Sequence, residues 1–117
     1  MMMAWNSASF ESILAVIVAA LFAVAGVVNL ARRGAPKRDF ARWGYPAWFQ
    51  LLCGALELLS AALLLEQQTR VLGLTLAGAI MIGALVTLLR NREPFAHLAP
   101  ALIFSALIVV TVVVRFS

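Results

Sequence analysis

Four continuous apolar runs dominate the sequence, and they restrict the chain to a structure that lies in a membrane. Each run approaches the ~20 residues that a helix needs to cross the hydrocarbon core of a bilayer. Hydrophobic residues make up 64% of the 117 residues and charged residues only 12%, whereas soluble domains are far more polar. Strands of membrane β-barrels alternate apolar and polar residues, and these runs do not. The sequence therefore predicts an all-α integral membrane protein, a four-transmembrane-helix bundle with short loops.

The predicted spans cover the chain as a single transmembrane domain. They are residues 12–31, 47–65, 71–89 and 95–114. Seven of the nine Lys and Arg residues lie in the two loops at one end, residues 32–46 and 90–94, and only Arg70 and Arg115 belong to the other end. Because basic loops stay in the cytoplasm, we expect both of these loops to be cytoplasmic and both termini to lie outside.

The first loop joins basic residues to an aromatic belt, a pattern typical of the membrane–water interface. We expect eight of its residues and near neighbours to face lipid headgroups: Arg32, Arg33, Lys37, Arg38, Arg42, Trp43, Tyr45 and Trp48. We interpret the cations mainly as a topology signal, with an anionic-lipid site as the alternative. The basic residues behind the net charge of +4 lie mainly in loops that flank apolar spans. Because the sequence has no polar domain that could bind nucleic acid, we predict no nucleic-acid binding.

One carboxylate, Glu57, lies near the middle of the second span. A charge at the bilayer centre costs ~3 kcal/mol on insertion scales, so such residues face the protein interior and by default indicate a functional site. No Lys, Arg or His lies at the same depth, so we expect a protonated carboxyl that hydrogen-bonds to a backbone carbonyl or to Ser105. Two roles for Glu57 are compatible with the sequence. A neutral Glu57 would hold two helices together, and a functional Glu57 would titrate or bind a ligand. Glu57 is the one candidate catalytic residue.

The other polar residues inside the spans are few. On the second span, spacings of three and four place them on the face of Glu57. At ~1.5 Å per residue, Glu57 lies near the midplane with Ser105 close to its depth, whereas Asn29, Gln50 and Thr87 lie nearer the loop of residues 32–46. Together the polar residues form a predicted intramembrane cluster of Asn29, Gln50, Glu57, Ser60, Thr87 and Ser105.

Metal and haem chemistry lack ligands in this sequence. Cys53 is the single cysteine and His97 the single histidine. One cysteine provides no disulfide and no CxxC pair, and one histidine provides no bis-histidine haem site. A zinc site needs a cluster of such ligands. We therefore expect no metal and no cofactor, except a quinone under the alternative function given below.

Several short motifs, in order along most of the chain, resemble the DoxX-like family of small four-helix bacterial membrane proteins. They are Ala25-Gly26, Phe40 with RWGYPAW at 42–48, the glycine–x–x–glutamate of 54–57, the TLLR of 87–90, and Pro94 with Pro100-Ala-Leu. The resemblance implies a multi-pass protein of the bacterial inner membrane. Among relatives, some are membrane subunits of a thiosulfate:quinone oxidoreductase, and others are membrane partners of redox or assembly factors.

The chain departs from the family pattern at two positions. Relatives commonly have a lysine where this chain has Asn29 and a histidine where it has Leu88. If lysine, glutamate and histidine act together in relatives, Glu57 is the only ionisable member that this chain retains.

These observations lead to three functional hypotheses. The first is a non-enzymatic accessory or scaffold subunit that contacts membrane lipid and associates with itself or with a membrane-complex partner. The alternative is a membrane subunit of a quinone-linked oxidoreductase that uses Glu57 as proton acceptor. A small proton-coupled transporter ranks last, because small multidrug exporters have their membrane glutamate in the first span and Glu57 lies in the second.

Overall fold

Five α-helices make up nearly all of the chain that the computed structural model describes, which is the backbone of residues 2–32 and 34–117 and the side chains of residues 9–32 and 36–117. The helices are α1 (Met2–Ala31), α2 (Gly34–Arg42), α3 (Ala47–Leu65), α4 (Arg70–Arg90) and α5 (Phe95–Arg115). No strand occurs among these residues.

Four helical segments are long and apolar enough to cross a membrane, which confirms the predicted all-α bundle. They are Ser9–Ala31, Ala47–Leu65, Arg70–Arg90 and Phe95–Arg115. The first begins before the predicted residue 12, because Ser9, Phe10 and Glu11 continue α1 without a break. Arg33 lies outside the described residues.

Prolines set the starts of two helices. Pro46 and Pro94 each have an extended backbone and immediately precede α3 and α5. Pro100 lies inside α5, which continues through it to Arg115. A proline inside a helix removes one backbone hydrogen bond, and membrane helices tolerate this because neighbouring helices and small local adjustments satisfy the freed carbonyl.

The four spanning helices form a ring in which each contacts two neighbours. Helix α1 packs against α3 and α5, and α4 packs against the same two helices. The short helix α2 packs on α1 and α3. We call the end with α2 and the α4–α5 loop the α2 end, and the end with the α3–α4 turn and Arg115 the terminal end.

Glycines bring the backbones of α1 and α3 into direct contact. A Cβ added to Gly26 would lie 2.9 Å from the carbonyl oxygen of Gly54, and one added to Gly54 would lie 2.8 Å from that of Gly26. Only glycine permits so close an approach, as in other membrane helix pairs with small residues at the interface. This contact fixes α1 and α3 side by side at the level of Gly54, one turn from Glu57.

A buried ionic cluster ties the terminal end together. Glu11 Oε2 accepts hydrogen bonds from Arg70 Nη1 at 2.8 Å and from Arg115 Nη1 at 2.7 Å. Arg70 Nε also donates to the carbonyl oxygen of Leu64 at 2.8 Å. Since these residues come from α1, α4, α5 and α3, the cluster joins all four spanning helices. The two deeply buried members, Glu11 and Arg70, are paired with each other, as buried charges require.

Candidate functional site

Glu57 lies at one end of a buried chain of side-chain hydrogen bonds. Gln50 Nε2 donates to Asn29 Oδ1 at 3.3 Å, and Asn29 Nδ2 donates to Glu57 Oε1. The exposed fractions of Gln50, Asn29 and Glu57 are 1%, 8% and 7%. These hydrogen bonds link α1 to α3 beside the contact of Gly26 with Gly54. Position 29 is where the family resemblance implies a lysine, so here an amide takes the place of an ammonium beside the carboxyl.

The prediction of Ser105 as a partner of Glu57 is wrong, and the partner in the structure is Asn29 rather than a backbone carbonyl. Ser105 Oγ donates instead to the carbonyl oxygen of Ala101 on its own helix, at 2.7 Å. We predicted the depth of each residue in the membrane from the backbone rise of ~1.5 Å per residue alone, which places Asn29 nearer the surface than Glu57. In a helix, however, every side chain leans toward the N-terminus. Because α1 and α3 run antiparallel, Asn29 and Glu57 lean toward each other, and their polar ends meet.

The remaining members of the predicted polar cluster make no hydrogen bond with these three residues. Thr87 Oγ1 is 3.0 Å from the hydroxyl oxygen of Tyr45. The Ser60 hydroxyl is fully buried and has no hydrogen-bond partner among the described side chains. The structure therefore joins Asn29, Gln50 and Glu57 by hydrogen bonds and does not include Ser60, Thr87 or Ser105 in that network.

A cavity of about 770 Å³ opens beside Glu57, between the spanning helices and α2. Glu57, Asn29 and Cys53 contribute to its α1–α3 wall, while α4 and α5 contribute apolar side chains such as Ile80 and Phe104. Its volume and its mostly apolar lining with few polar groups are typical of small-molecule sites. Sequence reasoning gave no indication of this cavity, because no motif records the space that four helices leave between them.

Four aromatic side chains surround the cavity at the α2 end. Phe40 packs against Trp43, Tyr45 and Phe49, with ring centroids 5.7, 5.8 and 6.0 Å away. Tyr45 stacks on Phe49 at 4.7 Å. All four line the cavity. Three residues of the predicted interfacial belt, Trp43, Tyr45 and Phe49, thus pack around Phe40 at the cavity.

Glu93 in the α4–α5 loop connects this aromatic cluster to the opposite side of the bundle, and sequence reasoning missed it. Its Oε1 accepts a hydrogen bond from Trp43 Nε1 at 2.9 Å and lies 2.7 Å from Arg42 Nη1, while its Oε2 lies 3.1 Å from His97 Nδ1. The Trp43 hydrogen bond, with those of Arg42 and His97, holds the pKa of Glu93 below its ordinary value despite partial desolvation. Hydrogen bonds of Arg42 to Asp39 and, with a smaller effect, to Glu93 raise the pKa of Arg42.

The residues predicted to face headgroups divide into two groups. Lys37, Arg38, Arg42 and Trp48 are exposed. Arg32, Trp43 and Tyr45 are half-buried. Trp43 and Tyr45 make the contacts with Glu93 and Thr87 described above, so they close the α2 end as well as facing the interface.

The site as built suits an apolar molecule with a polar head. Glu57 offers a carboxyl at the cavity wall, and its second oxygen, Oε2, has no hydrogen-bond partner among the described side chains. Within the part of the chain that the structure describes, no three His, Cys, Asp or Glu residues lie close enough together to bind a metal ion.

Comparison with known proteins gives one match. The model of the DoxX-like family matches residues 13–111. No curated protein and no solved structure matches the chain at a significant level.

Proposed function

This chain belongs to the DoxX-like family of membrane proteins, and from that premise we propose that it is a non-enzymatic accessory subunit that holds a lipid-soluble molecule within a membrane complex. The observation that carries this proposal is the cavity of about 770 Å³ with Glu57 and Asn29 at its wall. A scaffold that worked only through its outer surface would have no need of a cavity, or of a carboxyl kept at such cost inside the membrane.

A quinone is the ligand class that fits these residues best. The apolar walls suit an isoprenoid tail, and the aromatic cluster of Phe40, Trp43, Tyr45 and Phe49 suits a flat ring, since aromatic rings prefer stacked or edge contacts. Glu57 in its protonated form would donate from Oε2 to a head-group carbonyl, and Asn29 would fix the orientation of the carboxyl through Oε1.

In the alternative role, as the membrane subunit of a quinone-linked oxidoreductase, Glu57 would also accept or release a proton. A bound quinone would supply the redox chemistry, and the chain itself would position the head group and exclude water. The buried chain of Gln50, Asn29 and Glu57 supports the positioning part of this role.

The setting we propose is the bacterial inner membrane, with residues 32–46 and 90–94 in the cytoplasm and both termini outside. The distribution of Lys and Arg supports this orientation. The exposed apolar faces of the spanning helices would contact lipid, a second copy of the chain or a partner subunit.

Titration with decylubiquinone tests the ligand proposal. We expect saturable quenching of tryptophan fluorescence in the purified protein, because Trp43 borders the cavity. The Glu57→Leu variant removes the polar contact, so its dissociation constant should rise about tenfold, the effect of ~1.4 kcal/mol. Glu57→Gln keeps a hydrogen-bonding group and should bind within about threefold of the original chain.

The matched control is Glu66→Leu, which removes an exposed carboxylate from the α3–α4 turn at the other end. Its dissociation constant should equal that of the unchanged chain. Quenching that never saturates, or equal affinity in Glu57→Leu, would contradict the proposal.

A further inference from the structure

We infer that residues 36–45, which we call the lid, close the cavity at the α2 end and open it when they separate from Glu93. The lid would control how a ligand enters, so its purpose rests on the proposed function. The closure itself is a property of the chain without any ligand.

Five residues of the lid line the cavity. They are Pro36, Asp39, Phe40, Trp43 and Tyr45. They come from α2 and the turn that follows, and α2 packs on α1 and α3. Removing the lid from its present place would therefore open the cavity toward the membrane surface.

Side-chain bonds attach the lid to the α4–α5 side. Trp43 Nε1 and Arg42 Nη1 reach Glu93 Oε1 at 2.9 and 2.7 Å. The Tyr45 hydroxyl lies 3.0 Å from Thr87 Oγ1. The Glu93 side chain is only 5% exposed, although it belongs to a loop. A loop carboxylate that is buried by its contacts with the lid acts as a latch.

The backbone on either side of α2 provides places to bend. Gly44 has a φ of +83°, and a Cβ built there would meet no atom within 4 Å. Arg32, on the other side of α2, also has a positive φ, of 51°. The hydrogen bonds from Tyr45 N to the Phe40 oxygen and from Gly44 N to the Ala41 oxygen are those of a glycine-terminated helix end. The lid can thus move as a short helix between two turns.

The latch stays charged at neutral pH. The groups that face Glu93 are Trp43 and Arg42 from the lid and His97 from α5. Because the pKa of Glu93 is lowered, its contribution to closure is complete above the ordinary value of 4.5 and is lost as the pH falls through the lowered pKa. The charged contacts between Glu93 and the lid are therefore present throughout the neutral range, and they favour the closed position of the lid.

Cys53 reports on opening directly, because it lines the cavity and is the only cysteine of the chain. The probe is a positively charged, membrane-impermeant methanethiosulfonate reagent, applied to the ligand-free protein in nanodiscs. Trp43→Phe keeps an aromatic ring but removes the indole N–H, so the labelling rate of Cys53 should rise about fivefold, as one lost hydrogen bond predicts for a closed–open equilibrium. Glu93→Leu removes all three contacts, and its rate should rise at least about tenfold.

The matched controls change the same residue types away from the latch. Trp48 is 63% exposed and makes no bond with Glu93, and Glu66 is exposed in the α3–α4 turn. Trp48→Phe and Glu66→Leu should leave the labelling rate within twofold of the unchanged chain. Equal rates in Trp43→Phe, Glu93→Leu and the unchanged chain would overturn the inference.

General loosening of the bundle has a separate signature. Thr111 is fully buried in the terminal half, so Thr111→Cys in a Cys53→Ser background places a thiol away from the lid. If Glu93→Leu also speeds the labelling of a cysteine at position 111, the whole bundle has loosened and the inference of a local lid is overturned. If Glu93→Leu speeds the labelling of Cys53 only, the inference is supported. Because no ligand is present, the lid is tested independently of decylubiquinone binding.

Discussion

Glu57 depends on Asn29 more than on any residue of its own helix. Asn29 is the middle member of the buried hydrogen-bond chain and binds both Gln50 and Glu57. Inside the membrane no water replaces a lost partner, and a buried polar group without one costs about 1–3 kcal/mol. Asn29 thereby holds the carboxyl at the cavity wall in one orientation and joins α1 to α3.

Asn29→Ala should lower the free energy of unfolding by about 1 to 2 kcal/mol, since it leaves both Gln50 and Glu57 without this partner. Unfolding in mixed micelles with increasing dodecyl sulfate measures this change. Thr75→Ala is the control, because the Thr75 hydroxyl is exposed and binds only the Val71 carbonyl of its own helix. It should change the free energy by less than about 0.5 kcal/mol. Equal effects of the two substitutions on the free energy of unfolding would contradict the proposed contribution of Asn29 to stability.

The sequence was sufficient to predict a bundle-facing Glu57, because insertion cost requires it, but not its partner. Asn29 and Ser105 are both polar residues within long apolar stretches of their helices. The choice between them depends on which helices are neighbours and on how antiparallel side chains lean. Glu93 was unpredictable for a related reason, since its partner Trp43 is 50 residues away in the chain.

At the scale of elements, the contact of α1 with α3 positions the site. Gly26 and Gly54 let the two backbones touch, and the hydrogen-bond chain lies on the same interface. The lid contacts these same two helices. A wider α1–α3 separation would therefore disturb Asn29, Glu57 and the lid together.

Gly54→Ala should destabilise the fold by about 1–3 kcal/mol, because its Cβ would lie 2.8 Å from the Gly26 carbonyl oxygen and the helices would have to move apart. Gly78→Ala, on α4, is the matched control, since a Cβ there meets no atom within 4 Å. It should be neutral or stabilising by up to about 1 kcal/mol, because alanine is the better helix former. Thermal unfolding in detergent distinguishes the two; a Gly54→Ala variant as stable as Gly78→Ala would contradict this packing.

The four spans were predictable from length and apolarity alone, because a membrane leaves few other structures for such runs. Their order in the ring was not. Small residues are spread over α1, α3 and α4, and nothing in their spacing shows that Gly26 meets Gly54 rather than Gly73 or Gly78. Helix packing in a membrane depends on close fit, which a single sequence does not encode in a readable way.

At the scale of the whole molecule, the two ends have different roles. The terminal end is fastened by the ion pairs of Glu11 with Arg70 and Arg115. From the sequence, these arginines served only as markers of orientation, because their common partner lies at the far end of the chain. The α2 end instead contains the cavity, the aromatic cluster and the lid. A bundle fastened at one end and openable at the other is suited to admit a ligand without coming apart.

Protection of Cys53 by decylubiquinone tests most directly whether the cavity is a ligand site. The protein in nanodiscs is labelled with the methanethiosulfonate reagent with and without ligand, and decane serves as a control without a head group. We predict that ligand at about ten times its dissociation constant slows Cys53 labelling about tenfold, that decane does not, and that Glu57→Leu loses most of the protection. A labelling rate that decylubiquinone leaves unchanged in the unaltered chain would contradict the account.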